Sequence, residues 1–146
     1  MEIENQVTSL DLSKKLKELG VKKEGFFLWE NKMGKWHLIW RDYHKFDYID
    51  TADLREYVSA FTVAELGEML PREIKTDDKI VHHLRFQKTY HPTGTGKRKD
   101  YFWTVSYEYG EDDDIDNWWI VEDYWEADVR AKMLIYLIKN KLLTPN

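Results

Sequence analysis

The chain has 146 residues, 42% of them hydrophobic and 34% charged, which predicts one globular domain that buries roughly 70% of its unfolded surface. The absence of cysteine excludes disulfides, thiolate metal sites and a cysteine nucleophile. The net charge of −5 argues against a duplex nucleic-acid binder, because neutralising phosphates requires a basic face.

A short helix is predicted first, because leucines recur at helical spacing and a glycine suits the left-handed residue after the helix end. These residues are Leu10, Leu12, Leu16 and Leu19, followed by Gly20. Two ring-rich runs then predict a β-hairpin with Gly34 in its turn. The first run, Phe26–Trp29, is apolar on both faces, so we expect it inside a sheet or beneath a partner.

The stretch from Asp42 to Phe61 gives the weakest signal, and it predicts one helical turn around Ala52 to Tyr57. A second helix is predicted after it, because Thr62 followed three positions later by Glu65 forms a capping box. Pro71 ends this helix, since proline cannot continue it.

Two alternating runs, Lys79–Tyr90 and Tyr101–Tyr109, predict a second antiparallel hairpin with one core face and one polar face. The core face is assigned to Ile80, His82, Leu84, Phe86, Tyr90, Tyr101, Trp103, Val105, Tyr107 and Tyr109. A final helix is predicted from Glu126 onward by an apolar stripe at helical spacing. The order α-β-β-α-β-β-α predicts an α+β domain in which a four-stranded, largely antiparallel sheet packs against helices.

Two segments, AFTVAELGEMLP and EADVRAKMLIYLIKN, resemble those of small uncharacterised proteins encoded by tailed bacteriophages and prophages. They cover Ala60 to Pro71 and Glu126 to Asn140. The resemblance implies a phage origin and hence the cytoplasm of a bacterial host. It carries no catalytic residues, because both segments consist of helix caps and apolar stripes.

No membrane partner is expected, because no apolar run approaches the length of a membrane span. The first ten residues also lack the basic and apolar regions of a secretory signal. Both observations predict a cytoplasmic protein.

The stretch YHPTGTGKRKDYFW, at the tip of the second predicted hairpin, combines glycines, basic residues and rings. It is not a P-loop, because Gly94 and Gly96 are two residues apart and a strand follows. It predicts a site for a nucleotide-like anion, with basic groups on phosphate and a ring on the base. The candidates are Arg85, Tyr90, His91, Lys97, Arg98, Lys99, Trp103 and Trp119. The alternative is a solvated hairpin tip whose charges discourage pairing of strand edges.

The acidic run EDDDIDNWW predicts a different surface, one that binds a basic partner protein and inhibits or bridges a host protein. Its candidates are Asp112, Asp113, Asp114, Asp116 and Trp118. The run has partial EF-hand spacing, but Asn117 stands where the loop requires glycine, so we expect no metal. Adjacent tryptophans in an extended stretch face opposite sides, so at most one of Trp118 and Trp119 belongs in the core.

The pattern of histidines and serines indicates no enzyme and no cofactor. His82 and His83 are adjacent in a predicted strand, so they point to opposite faces and cannot chelate one ion together. The chain has no G-x-S-x-G motif. We therefore expect a non-enzymatic binding protein that counteracts host defence by sequestering a nucleotide-like ligand, with the protein-interaction module as the alternative. Because the apolar first hairpin needs a cover, a homodimer through the polar sheet face is also predicted.

Overall fold

The structure is a computed structural model that describes residues 2–41, 56–77, 79–90, 101–109 and 116–145, and for residues 116–118 the backbone only. The elements in chain order are a 3-10 helix (Ile3–Gln6), α1 (Leu10–Glu18), β1 (Phe27–Lys32), β2 (Lys35–Trp40), β3 (Glu56–Ala60), α2 (Val63–Met69), β4 (Glu73–Lys75), β5 (Val81–Tyr90), β6 (Tyr101–Tyr109), β7 (Asp116–Asp123) and α3 (Glu126–Lys139). In the described part of the chain, no helix is long and apolar enough to cross a bilayer.

The strands of the described ranges form two antiparallel sheets, in the orders β2-β1-β3 and β4-β5-β6-β7. The α+β class is confirmed, and the predicted helices and hairpins follow one another in the predicted order. The two hairpins lie in different sheets, however, because β3 pairs with β1 while β4 and β7 extend the β5–β6 hairpin on either side. Glu56 and Tyr57, predicted in a helical turn, belong to β3 because they pair with Asn31 and Glu30 of β1.

The predicted helix boundaries are confirmed. Ser9 precedes α1, and Gly20 has a φ of +86° just beyond its end. The capping box of α2 is complete, since Thr62 and Glu65 exchange both hydrogen bonds. The helix ends at Met69, two residues before Pro71.

The core lies between the four-stranded sheet and the helices, with α3 packed against α1, α2, β6 and β7. The predicted core face is confirmed at Val105 and Tyr107, which are fully buried. It is wrong at Tyr90 and Tyr101, which are each 44% exposed because they lie at the end of the β5–β6 ladder, beyond the packed part of the sheet. The central position of β1 in its sheet also matches the prediction for Phe27–Trp29. Phe26 departs from it, because this residue precedes β1 and is 62% exposed. Thr104 and Ser106, on the opposite face of β6, are buried as well, since they are small side chains on a strand flanked by β5 and β7.

Candidate binding cleft

The predicted site residues fall partly outside the described chain. His91, Lys97, Arg98, Lys99, Asp112, Asp113 and Asp114 lie outside it, and Asp116 and Trp118 are described by their backbone in β7 alone. The acidic interaction surface and the basic tip therefore stay predictions. Arg85, Tyr90, Trp103 and Trp119 are described with their side chains.

These four side chains do not converge on one point. Arg85 is half exposed on the outer face of the four-stranded sheet, where its guanidinium lies 2.9 Å from the carboxylate of Glu108. Trp103 lies on the opposite, core-facing side. A ligand stacked on Trp103 therefore cannot also meet Arg85.

The other two rings have different surroundings. The ring of Trp119 packs against the core, with its centroid 5.0 Å from that of His82 and 6.0 Å from that of Tyr107. Tyr90 is 44% exposed at the end of β5, and its ring lies 5.1 Å from that of Tyr101. Trp119 is therefore a packing residue in this structure, whereas Tyr90 stays accessible.

The structure instead brings Trp103 into a cleft of about 750 Å³. The 3-10 helix, β1, the start of α2, the β5–β6 hairpin and the residues preceding α3 form its walls. Its aromatic lining consists of Phe27, Tyr101, Trp103, Tyr124 and Trp125. The cleft is within the size range of small-molecule sites, which run from about 300 to 1,000 Å³ and are mostly apolar.

Among the described lining residues, one cation, Lys88, lies among these rings. Its Nζ is 5.3 Å from the ring centroid of Tyr101 and 5.4 Å from that of Trp103. The strand register explains this position, because Lys88 of β5 pairs directly with Trp103 of β6, so both side chains share one face. The contacts are cation–π interactions, which orient the ammonium group over the ring faces.

The electrostatics of the cleft favour an anion. Lys88 forms no ion pair with any residue that the structure describes. The carboxylate of Glu126, also in the cleft wall, is already held 2.6 Å from the guanidinium of Arg130. Within the described part of the lining, the ammonium of Lys88 is thus the charge that a ligand can neutralise.

The sequence did contain a signal for Lys88. Alternation along Lys79–Tyr90 places position 88 on the same face as Phe86 and Tyr90, where it is the one basic side chain among rings. Phe27, Tyr124 and Trp125 were not predicted to join this site. Their contribution depends on how β1 and the start of α3 pack beside the hairpin, which no local pattern encodes.

The histidines of β5 behave as the alternation predicts. His82 is buried and His83 is exposed, with its Nδ1 3.3 Å from a carboxylate oxygen of Glu73. Burial lowers the pKa of His82, and the neighbouring charge of His83 lowers it further. Among the described residues, no three histidine or acidic side chains are grouped so that they could hold a metal ion.

No family model matches the chain, and neither a curated protein nor a solved structure gives a match. The resemblance to tailed-phage proteins therefore stays a prediction.

Proposed function

We propose that this protein is a non-enzymatic binding protein whose aromatic cleft takes a nucleotide-like anion. The observation that carries the proposal is the position of Lys88 over the rings of Tyr101 and Trp103 within a cleft of about 750 Å³. If the predicted phage origin holds, sequestering a host signalling nucleotide is the role that such binding would serve.

The chemistry of the lining fits the two halves of a nucleotide. A base is planar and stacks on aromatic side chains, which contributes about 1–3 kcal/mol per base. A phosphate is a strong acceptor that pairs with an ammonium group, and the pairing is stronger where water is partly excluded. Trp103 is half-buried and Lys88 exposed, so the ring offers a fixed stacking surface and the ammonium can turn toward a ligand.

The test is titration calorimetry with adenosine monophosphate, adenosine and inorganic phosphate. We expect adenosine monophosphate to bind more tightly than either fragment, because it uses both the rings and the ammonium. Lys88→Glu should weaken that binding at least tenfold, a loss of about 1.4 kcal/mol or more.

Lys35→Glu is the matched control, because it makes the same change of charge at an exposed lysine at the far end of the β1–β2 hairpin from Phe27. It should leave the affinity unchanged. Failure of adenosine monophosphate to bind, or an equal effect of the two variants, would contradict the proposal.

A further inference from the structure

A second, smaller cavity of about 280 Å³ lies on the other face of the three-stranded sheet. Adjacent residues of a strand point to opposite faces, and here Phe27 lines the aromatic cleft while Leu28 lines this cavity. Ser59, which pairs with Leu28 in β3, shares the cavity face. The remaining walls come from α1, residues 21–24, Arg41, Tyr57 and Phe61.

Cationic side chains dominate this cavity. They are Lys17, Lys22, Lys23 and Arg41, and the described part of the lining contributes one carboxylate, that of Glu24. Lys23 is paired with Glu68 at 2.7 Å, and Arg41 is paired with Glu24. The Nζ of Lys17 donates to the backbone carbonyl of Tyr57 at 3.0 Å, which orients the ammonium without neutralising its charge.

Two positive charges therefore lack a carboxylate. Neither Lys17 nor Lys22 forms an ion pair within the described ranges of the chain. Like charges grouped at one cavity repel one another, and a bound anion relieves that repulsion. This local excess of positive charge contrasts with the net charge of −5 that the whole chain carries.

Arg41 provides an independent indication. One terminal nitrogen of its guanidinium is held by Glu24, while its Nε is buried and has no hydrogen-bond acceptor among the residues that the structure describes. Buried polar groups nearly always have a partner, so a buried N–H donor without one indicates an acceptor that binds there. The planar guanidinium presents paired N–H groups whose geometry matches the oxygens of a phosphate.

We propose that this cavity binds a small phosphomonoester, with Arg41 donating to the phosphate oxygens and Lys17 and Lys22 balancing its charge. The cavity is larger than one phosphate group but much smaller than the aromatic cleft, which favours a compact molecule such as a sugar phosphate. This site is separate from the cleft and does not rest on the function proposed for it.

Titration calorimetry with glucose 6-phosphate, glucose and inorganic phosphate at constant ionic strength tests the proposal. We expect saturable binding of glucose 6-phosphate, weaker binding of inorganic phosphate and none of glucose. The double variant Lys17→Gln with Lys22→Gln should weaken glucose 6-phosphate binding at least tenfold. The double variant Lys15→Gln with Lys35→Gln has the same net charge, changes exposed lysines outside the cavity, and should bind as the wild type does.

Arg41→Lys separates the guanidinium geometry from its charge. It should weaken glucose 6-phosphate binding at least tenfold, with circular dichroism confirming that the variant is folded. Lys88→Glu should leave glucose 6-phosphate binding unchanged, which distinguishes this cavity from the aromatic cleft. Absence of saturable binding, or equal weakening in the two double variants, would overturn the proposal.

Discussion

The buried carboxylate of Glu65 joins two parts of the fold that are distant in sequence. Its Oε1 accepts the backbone N–H of Phe26, just before β1, at 2.9 Å. Its Oε2 accepts both the N–H and the hydroxyl of Thr62 at 2.8 Å, which closes the capping box of α2. A buried carboxylate is tolerated here because donors surround it. The carboxylate of Glu65 thus links the beginning of β1 to the beginning of α2.

Glu65→Ala should lower the free energy of unfolding by about 2–4 kcal/mol, because it removes a helix cap and leaves three partly buried donors without their acceptor. Urea denaturation measures this loss. Glu68→Ala is the control, since Glu68 lies in the same helix with a largely exposed side chain paired with Lys23. That change should cost less than about 1 kcal/mol. Equal losses in the two variants would contradict the role assigned to Glu65.

At the scale of the elements, local signals predicted the helices and the two hairpins. The capping box fixed the start of α2, and strict alternation fixed β5 and β6. β3, β4 and β7 were not predicted as strands. β3 and β4 have only five and three residues, too few for a period to stand out, whereas β7 begins within the acidic run that was interpreted as an interaction surface. The division into two sheets depends on pairing between β1 and β3, which are far apart in the chain. Neither strand carries a signal that specifies this partner.

The pairing of β1 with β3 requires a close backbone approach at Gly25. A Cβ at this position would lie 2.5 Å from the carbonyl oxygen of Ala60 and 3.2 Å from that of Phe27. Ala60 is the partner of Phe27 in the β1–β3 ladder, so the clash falls at the start of the pairing. Gly25→Ala should therefore lower the free energy of unfolding by about 3 kcal/mol, because the backbone must shift. Urea denaturation measures the loss.

Hydrogen exchange locates the effect of this substitution. The amides of β1 and β3 around Trp29 and Val58 should lose protection in Gly25→Ala. Gly34→Ala is the comparison, since a Cβ there meets nothing within 4 Å and only the positive φ of +80° opposes it. It should cost about 1 kcal/mol and leave β3 protected. Loss of β3 protection in both variants would argue against the close approach as the cause.

At the scale of the whole molecule, the two cavities show what a sequence pattern cannot encode. Alternation predicted that Trp103 and Tyr101 share a face, and the structure places both in the aromatic cleft. The cleft also needs Phe27, which comes from the other sheet. The cavity of about 280 Å³ combines Lys17 of α1 and the lysines of residues 21–24 with Arg41. No motif or spacing in the sequence marks these four cations as one group. Both cavities form where the sheets and the helices pack together.

His82 contributes to the pH dependence of the stability of the fold. Burial lowers its pKa from the ordinary value of 6.5, and its ring packs 5.0 Å from that of Trp119 and 5.6 Å from that of Tyr109. The unfolded chain takes up a proton at this histidine as the pH falls below about 6.5, whereas the folded chain does so only at a lower pH. The free energy of unfolding should therefore decline below that pH, by up to about 1.4 kcal/mol per pH unit.

Asp128 acts in the opposite sense, because burial raises the pKa of its carboxyl group from 3.8, against the lowering effect of the hydrogen bond from Ser9. Its contribution to stability is present below that ordinary pKa and is lost as the pH rises through the folded value. A comparison between variants that both retain Asp128 removes this effect. A change in how steeply the free energy of unfolding varies with pH can then be assigned to the substituted histidine.

His82→Gln should flatten the decline in the free energy of unfolding between about pH 6.5 and pH 5, because the buried group that resists protonation is gone. Urea denaturation at about pH 7, 6 and 5 measures the slope, whatever the variant's stability at neutral pH. His37→Gln is the control, since His37 is exposed on β2. It should keep the slope of the wild type. A wild-type slope in His82→Gln would show that this histidine does not govern the acid response.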